Sequence, residues 1–160
     1  MPFDPIDEAS RQWGRRWGAV EQMRAVTSLM RAQQIVINEL DEILRRHGLT
    51  FARFEALVLL TFSRRGSLPL GKMGERLQVH PTSVTSIIDR LEASEFVVRR
   101  PHPSDGRAVL AEITEAGRTV VEAATADLVR ARFALAEMPA EDLRALSALL
   151  RPVREHAGDF

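Results

Sequence analysis

The sequence of 160 residues predicts a mainly α-helical fold with one small β-hairpin, which places the chain in the α+β class. In most segments apolar residues recur at steps of three and four, the spacing of an amphipathic helix. Two short runs, 96–100 and 108–113, are instead β-like and flank the turn-forming letters PHPSDG. We therefore expect helices on both sides of a single hairpin, within one domain spanning 1–160.

The N-terminal part of the chain is predicted to form one long helix over residues 10–47. Apolar side chains, among them Trp13, Trp17 and Met30, recur along it at three- and four-residue steps. The pair His47-Gly48 is a typical helix end, because glycine readily adopts the left-handed conformation that follows a last turn. The helix is therefore expected to stop at this pair.

Three shorter helices are predicted in the middle of the chain. Thr50 can cap the first, residues 70–77 form the second, and Pro81 opens the third, where its missing N–H costs nothing. A short extended piece at 67–68 precedes the second of them. Two short helices followed at once by a β-hairpin have the order of a helix-turn-helix with a wing.

Two further helices are predicted after the hairpin. Thr114 can cap the first, which is expected to run to about residue 136, and the last helix opens near Pro139. Pro152 is expected to kink or fray the final turns, because proline removes a helical hydrogen bond. The winged helix-turn-helix is therefore flanked by N- and C-terminal helices.

Composition excludes several classes of function. The absence of cysteine excludes disulfides, thiol catalysis and cysteine-based zinc sites, and the four histidines lack metal-binding spacing. No catalytic triad order, phosphate-binding loop or cofactor motif is visible, so we expect neither an enzyme nor a cofactor. The apolar runs are too short to span a bilayer, and a cytoplasmic protein without membrane association is expected.

A basic segment lies in the middle of this chain of zero net charge. Residues 64–107 carry eight basic and five acidic side chains, so the remainder of the chain carries the opposite charge. The helix that opens at Pro81 has an outer face of short hydroxyl side chains, which can approach the DNA major groove closely and hydrogen-bond there. The candidate DNA contacts on this helix are Thr82, Ser83, Thr85, Ser86 and Arg90.

Arginines also cluster around the predicted hairpin. Arg99 and Arg100 end its first strand and Arg107 begins its second. A positive side chain at a hairpin tip suits the narrow, electronegative minor groove of DNA. Asp105 stands two residues before Arg107 and can pair with it. The candidate DNA contacts here are Arg100, His102, Asp105 and Arg107.

From residue 49 to about residue 124 the sequence resembles the MarR (multiple antibiotic resistance regulator) family of transcription factors. The resemblance is carried by PTSVTSIIDRLE, VVRRP, the Asp-x-Arg pattern in SDGR, and ITEAG, in the family's order and spacing. It implies a winged-helix homodimer. Its recognition helix, residues 81–94, would enter the major groove, while the wing residues Asp105 and Arg107 would reach the minor groove.

The resemblance also implies how the chain divides and what it binds. Residues 10–47 and 114–157 would form the helical dimerisation region, and residues 50–113 the winged-helix DNA-binding region. The dimer would act as a repressor on a pseudo-palindromic operator of double-stranded DNA. Many members are released by small aromatic or phenolic ligands, and the candidate ligand-binding residues here are Trp13, Trp17 and Met30.

Three features depart from the family pattern. Glu95 stands where the family has glycine, and a left-handed backbone would strain glutamate, so a different turn is expected. His80 replaces a serine-like cap before Pro81, which predicts a weaker helix start. The missing cysteines remove the peroxide-sensing branch of the family.

Two alternatives remain open at the level of sequence. A winged helix without DNA binding can serve as a protein-interaction module, which would present exposed Leu, Phe or Tyr anchors. The Trp and Met side chains of the first helix form a stripe that is more often ordinary core or dimer packing than a ligand pocket. The Thr, Ser and Arg composition of the recognition helix favours DNA over a protein partner.

Overall fold

The predicted succession of helices around one small sheet is confirmed by a computed structural model, which describes residues 3–105 and 108–160. The chain divides into two units, residues 1–39 and 40–160. A 3₁₀ turn at Arg132–Ala134 follows the sixth helix. In chain order the elements are α1 Pro5–Gly14, α2 Val20–Arg45, α3 Phe51–Thr61, β1 Ser67–Pro69, α4 Leu70–Leu77, α5 Pro81–Ala93, β2 Val97–Pro101, β3 Val109–Ile113, α6 Glu115–Arg130 and α7 Ala140–His156.

The prediction of a single helix over residues 10–47 is wrong, because the helix is interrupted between α1 and α2. Gly18 and Ala19 both adopt positive φ, 71° and 49°, which ends right-handed helical geometry. The indole N–H of Trp13 donates a hydrogen bond to the carbonyl of Gly18 at 2.8 Å and holds this turn closed. The helical spacing of apolar residues therefore continues through a turn that is not helical.

The start of α1 is fixed by local capping that was not predicted from the sequence. Asp4 accepts a hydrogen bond from the Ile6 N–H at 2.8 Å, and Pro5 occupies the first helical position. An ion pair between Asp7 and Arg24, 2.8 Å long, joins α1 to α2 within the N-terminal unit.

The larger unit is built on an apolar core around α3. This helix contacts α4, α5, α6 and the small sheet, and four of its side chains are buried. Burial of such side chains is the main driving force for the fold. The largest fully buried side chains are Leu44, Leu57, Leu60, Met73, Ile88, Leu91, Leu128, Val84 and Val97.

The three strands form an antiparallel sheet in the order β1-β3-β2. The predicted hairpin is confirmed, with Val97 opposite Ile113 and Arg100 opposite Leu110. The short extended piece predicted before α4 forms β1, which adds a strand to the hairpin and pairs Ser67 with Glu112. The hairpin loop lies at the Pro101–Val109 end of the sheet, opposite the end where Val97 pairs with Ile113 and α6 begins.

Two predicted helix boundaries need correction. Thr50 does not cap α3 with its side chain; instead the carboxylate of Asp41 accepts the Phe51 N–H at 2.6 Å. Thr114 does cap α6, accepting the Gly117 N–H at 3.0 Å. However, α6 ends at Arg130 rather than near residue 136, because the three residues of the following 3₁₀ turn all have positive φ.

The last helix and the turn after α5 also differ from expectation. Helix α7 continues past Pro152 to His156, so the predicted fraying of its last turns is wrong. Glu95 has a φ of 60°, so the left-handed turn is kept although a glutamate occupies it. The hydroxyl of Thr114 donates to the Glu95 carbonyl at 2.8 Å, which stabilises this turn from α6.

Candidate nucleic-acid interface

Helix α5 presents two chemically different faces. Val84, Ile88 and Leu91 are buried and pack the helix into the core of the larger unit. The other side is exposed and rich in serine and threonine. These residues are poor helix formers, but their short side chains allow close approach to a ligand surface. All five candidate contacts predicted on this helix are exposed: Thr82, Ser83, Thr85, Ser86 and Arg90.

The first turn of α5 is well fixed. His80 Nδ1 accepts the Thr82 N–H at 3.2 Å, and Pro81 occupies the first helical position. His80 therefore does cap α5, through a ring nitrogen where a serine-like residue would use its hydroxyl. The hydroxyl of Thr85 donates to the carbonyl of Pro81 at 3.2 Å, which sets the direction of that side chain.

The turn between α4 and α5 brings the two helices close together. Gln78 follows α4 in the left-handed conformation, with a φ of 52°. A Cβ atom at Gly74 would lie 3.3 Å from both the Val79 carbonyl oxygen and a methyl carbon of Val84. The turn therefore leaves little room for a side chain at Gly74.

The hairpin loop after β2 is closed by backbone hydrogen bonds. The His102 N–H donates to the Ala108 carbonyl at 3.1 Å, and the Ala108 N–H donates to the Asp105 carbonyl at 3.0 Å. The His102 side chain accepts the Ser104 N–H through Nδ1 at 3.3 Å. Asp105 is exposed. The predicted contact Arg107, and with it the predicted pairing with Asp105, lies outside the described residues.

The two adjacent arginines of β2 have different surroundings. Arg100 is exposed and only approaches Glu112, with Nε 3.6 Å from a carboxylate oxygen. Arg99 instead turns back to α5 and forms ion pairs with both Asp89 and Glu92. Burial alone would lower the pKa of Arg99, but its hydrogen bonds to these carboxylates raise the pKa above the ordinary value. Arg100 is therefore the more accessible cation.

The candidate ligand residues are only partly brought together. The rings of Trp13 and Trp17 lie 4.8 Å apart, and the guanidinium of Arg16 is 5.8 Å from the ring centroid of Trp17. Both rings line a cleft of about 540 Å³ in the N-terminal unit, together with Glu8, Ala9, Gln12, Arg15 and Arg16. Met30 is exposed but does not line this cleft.

A second cleft, between α3 and α6, was not predicted from the sequence. It is about 300 Å³ in volume, largely apolar, and lined by Val58, Thr61, Phe62, Val121, Glu122 and Thr125. Phe62 keeps 83% of its surface exposed, which is unusual for a large aromatic side chain at the end of a core helix. The exposure of Phe62 could not be predicted from the apolar pattern of α3, because periodicity does not distinguish a buried residue from an exposed one at a helix end.

A charged cluster joins the end of α2 to α6. Asp127 accepts from His47 Nε2 at 2.9 Å and also pairs with Arg130 at 2.9 Å. The His47 hydrogen bond, with the nearby positive charge of Arg46 and Arg130, lowers the pKa of Asp127 below its ordinary value. This cluster holds the carboxylate ionised and ties α6 to the turn that ends α2.

Residues 3–105 and 108–160 contain no group of three or more His, Asp or Glu side chains arranged to hold a metal ion. Among the helices of the same residues, none combines the length and the apolar character that crossing a bilayer requires.

Comparison with known proteins extends these observations. Residues 49–109 match the sequence pattern of the MarR family. The regulator MhqR of Bacillus subtilis, of the helix-turn-helix type, is 33% identical over 89 residues, which cover 56% of this chain. The same stretch spans 60% of that relative, less than two thirds of its length.

Solved structures match over more of the chain. Sco5413 of Streptomyces coelicolor, a MarR family transcriptional regulator, is 56% identical, with a TM-score of 0.84 over 89% of this chain and 99% of that protein. Sco3205 of the same organism, a MarR family regulator solved in complex with DNA, is 24% identical, with a TM-score of 0.78 over 88% of this chain and 90% of that protein. The second likeness supports the fold. With the match to Sco5413 over nearly its whole length, the chain belongs to the MarR family of transcriptional regulators.

Proposed function

We propose that this chain is a sequence-specific double-stranded DNA-binding regulator that acts as a homodimeric repressor. The observation that carries the proposal is the outer face of α5, where four hydroxyl side chains and Arg90 are exposed on a helix-turn-helix. An ordinary solvated helix face would carry good helix formers such as Glu, Lys and Gln instead. Residues 50–113 are accordingly assigned to DNA binding.

In this proposal α5 lies in the major groove and the hairpin lies along the adjacent minor groove. Thr82, Ser83, Thr85 and Ser86 are short enough to let the helix approach base edges. Arg90 forms no ion pair within the described part of the chain and reaches a phosphate. On the hairpin, Arg100, His102, Asp105 and Arg107 face the minor groove, whose negative potential attracts arginine.

The homodimer is supported by apolar surface on the flanking helices. Helix α7 has no buried residue, and Leu149 and Val153 keep 75% and 64% of their surfaces exposed. Exposed apolar surface of this kind typically marks an interaction site. Residues 10–47 and 114–157 are accordingly assigned to dimerisation. A two-fold dimer then reads a pseudo-palindromic operator with half-sites about one helical turn apart.

A small aromatic effector is proposed for the cleft lined by Trp13 and Trp17. Two indole rings beside Arg15 and Arg16 suit a planar ring that carries a negative charge. These are the only tryptophans, and the chain has no tyrosine, so intrinsic fluorescence reports directly on this cleft. An effector bound there should change the fluorescence in the concentration range in which it releases DNA. Release with unchanged fluorescence would place the effector elsewhere, for instance in the cleft between α3 and α6.

DNA binding is tested by fluorescence-anisotropy titration. The probes are duplexes tiling the region upstream of the chain's own gene, with excess nonspecific competitor at about 150 mM salt. We expect nanomolar, competitor-resistant binding to one duplex. In the matched pair of variants, Arg90→Ala should weaken this binding and Arg64→Ala, outside the predicted contacts, should not. Equally weak binding to every duplex, with no difference between the two variants, would favour a protein-interaction module.

A further inference from the structure

Arg99 makes a bridge between the wing and the recognition helix. Its Nη2 lies 2.6 Å from the Asp89 carboxylate, and its Nη1 pairs with Glu92. Its backbone N–H also donates to Glu92, at 3.2 Å. The first strand of the hairpin is thus attached to α5 by both its main chain and a side chain. Only 26% of the Arg99 side chain is exposed.

The bridge links residues that are close together in the sequence. Asp89 and Glu92 are three residues apart on α5 and so lie on the same side of the helix. Arg99 follows after the left-handed turn at Glu95, and in the sheet it pairs with Ala111 of β3. A change in the angle between helix and hairpin would break two ion pairs at once. The guanidinium fork holds both carboxylates in fixed directions, as a single point charge would not.

We propose that Arg99 is a positioning residue for DNA recognition: it holds the hairpin at a fixed angle to α5 so that both elements can engage one duplex. The proposal rests on the DNA-binding function proposed above. In this proposal Arg99 itself makes no phosphate contact, because both Nη groups of its guanidinium already point at carboxylates of α5. The neighbouring Arg100, exposed and with one long contact to Glu112, is the phosphate or minor-groove cation of this strand.

The carboxylate side of the bridge is largely at the surface, with 58% of Asp89 and 41% of Glu92 exposed, so its contribution to global stability is expected to be small. Ion pairs at a protein surface contribute little to stability, because water and salt screen them and the side chains lose entropy. What the bridge fixes is the geometry between the hairpin and α5.

The mechanical part of the proposal is tested on the free protein by amide hydrogen exchange. In Arg99→Gln we expect the amides of β2 and of His102 to exchange about tenfold faster, with α3 and α6 unchanged. The matched variant Arg100→Gln removes the same charge one residue further along and should leave the exchange of these amides unchanged. Identical exchange in the two variants would overturn the bridge, whether or not the protein binds DNA.

The functional part is tested by the salt dependence of operator binding. Arg99→Gln should weaken operator binding about tenfold with an unchanged slope of log affinity against log salt, and leave nonspecific duplex binding within about twofold. Arg100→Gln should lower that slope by about one, as expected for a lost phosphate contact. A similar loss of slope in Arg99→Gln would make Arg99 a phosphate contact and refute the positioning role.

A double-mutant cycle separates action through α5 from other effects. Once Asp89→Asn and Glu92→Gln have removed the partners, adding Arg99→Gln should weaken operator binding less than twofold further. Full additivity would contradict the proposal. Arg99→Lys keeps the charge but not the fork, and should restore only part of the affinity. If the wild-type protein binds no duplex specifically, the proposed function fails, while hydrogen exchange still decides whether the bridge holds the hairpin.

Discussion

Helices α5 and α7 both leave one face uncovered, but the two faces have opposite chemistry. Helix α5 buries an apolar stripe in the core and exposes hydroxyl groups and Arg90. Helix α7 buries nothing among the described residues and exposes leucine and valine. The same chain therefore offers one surface that water already solvates well and another that water solvates poorly.

The difference indicates an order of assembly. Apolar surface gains about 25 cal/mol for each Å² removed from water, so α7 gains free energy as soon as a second apolar surface covers it. A face of hydroxyls and arginine gains little from burial without specific hydrogen bonds, because it must give up water first. We therefore expect the dimer to form in the absence of DNA and to carry two α5 faces that are ready for an operator.

The largest effect is expected from charge placed on the apolar face of α7. Leu149→Glu combined with Val153→Glu should leave the protein monomeric and weaken operator binding at least 100-fold, because two linked half-sites bind far more tightly than one. The monomer fold should survive, since neither side chain is buried. Light scattering and anisotropy measure the two effects.

The control places the same charges on the other side of the helix. Ala140→Glu combined with Ala148→Glu adds two carboxylates at exposed positions that are rotated by roughly 100° or more from both Leu149 and Val153, at ~100° per residue. This variant should remain dimeric and bind the operator normally. If the first variant also stays dimeric, α7 does not form the interface.

The next effect is expected at the hairpin tip. Arg107→Ala should weaken operator binding about tenfold or more, because an arginine in the minor groove meets a strongly negative potential. Arg64→Ala removes the same charge before β1, at the end of the sheet opposite the hairpin loop, and should have little effect. Dimerisation should be unchanged in both. An unchanged dissociation constant for Arg107→Ala would remove the wing from the DNA interface.

The α5 face and the hairpin could be predicted from sequence because their signals are local. Pro81 opens α5 and Thr114 caps α6, each within a few residues of the atoms they satisfy. The exposure of the five α5 contacts follows from the three- and four-residue spacing of Val84, Ile88 and Leu91. Here local preference and tertiary packing agree, so the pattern is sufficient.

Where residues distant in the sequence determine the local structure, the prediction from sequence was wrong or absent. Asp41 supplies the cap of α3 from ten residues away and displaces Thr50 from that role. The break before α2 depends on positive φ at Gly18 and Ala19, whereas the apolar spacing continues across it.

The site shows the same limit at Arg99. Three neighbouring arginines look alike in sequence, and only the fold shows that Arg99 faces two carboxylates of α5. A pair of acidic residues three apart on a helix, followed by an arginine after a tight turn, is the signal that could have suggested it.

A smaller effect is expected when one hydroxyl is removed from the α5 face. Ser86→Ala should weaken operator binding about threefold, the equivalent of one hydrogen bond exchanged for water, with less change on nonspecific DNA. Ser147→Ala makes the same chemical change on α7, where the hydroxyl bonds to the Leu143 carbonyl of its own helix at 3.0 Å. It should alter neither DNA binding nor dimerisation. Equal effects of the two variants on operator binding would show that the α5 hydroxyl makes no contact.

The smallest effect is expected away from both faces, at Asp127. Hydrogen bonding to His47 lowers the pKa of this carboxyl, so its ionised form stabilises the folded state above its unfolded pKa, and the stabilisation is lost as pH falls through the lower folded pKa. Asp127→Asn should lower the unfolding midpoint by about 2 °C near neutral pH, and the difference from wild type should disappear as the pH falls through the folded pKa of Asp127. Thermal unfolding across this range measures it. A deficit that persists in acid would mean that the amide disturbs packing instead. Operator affinity should not change at neutral pH, because the cluster lies in the turn after α2 and on α6, and the α5 face does not depend on its charge.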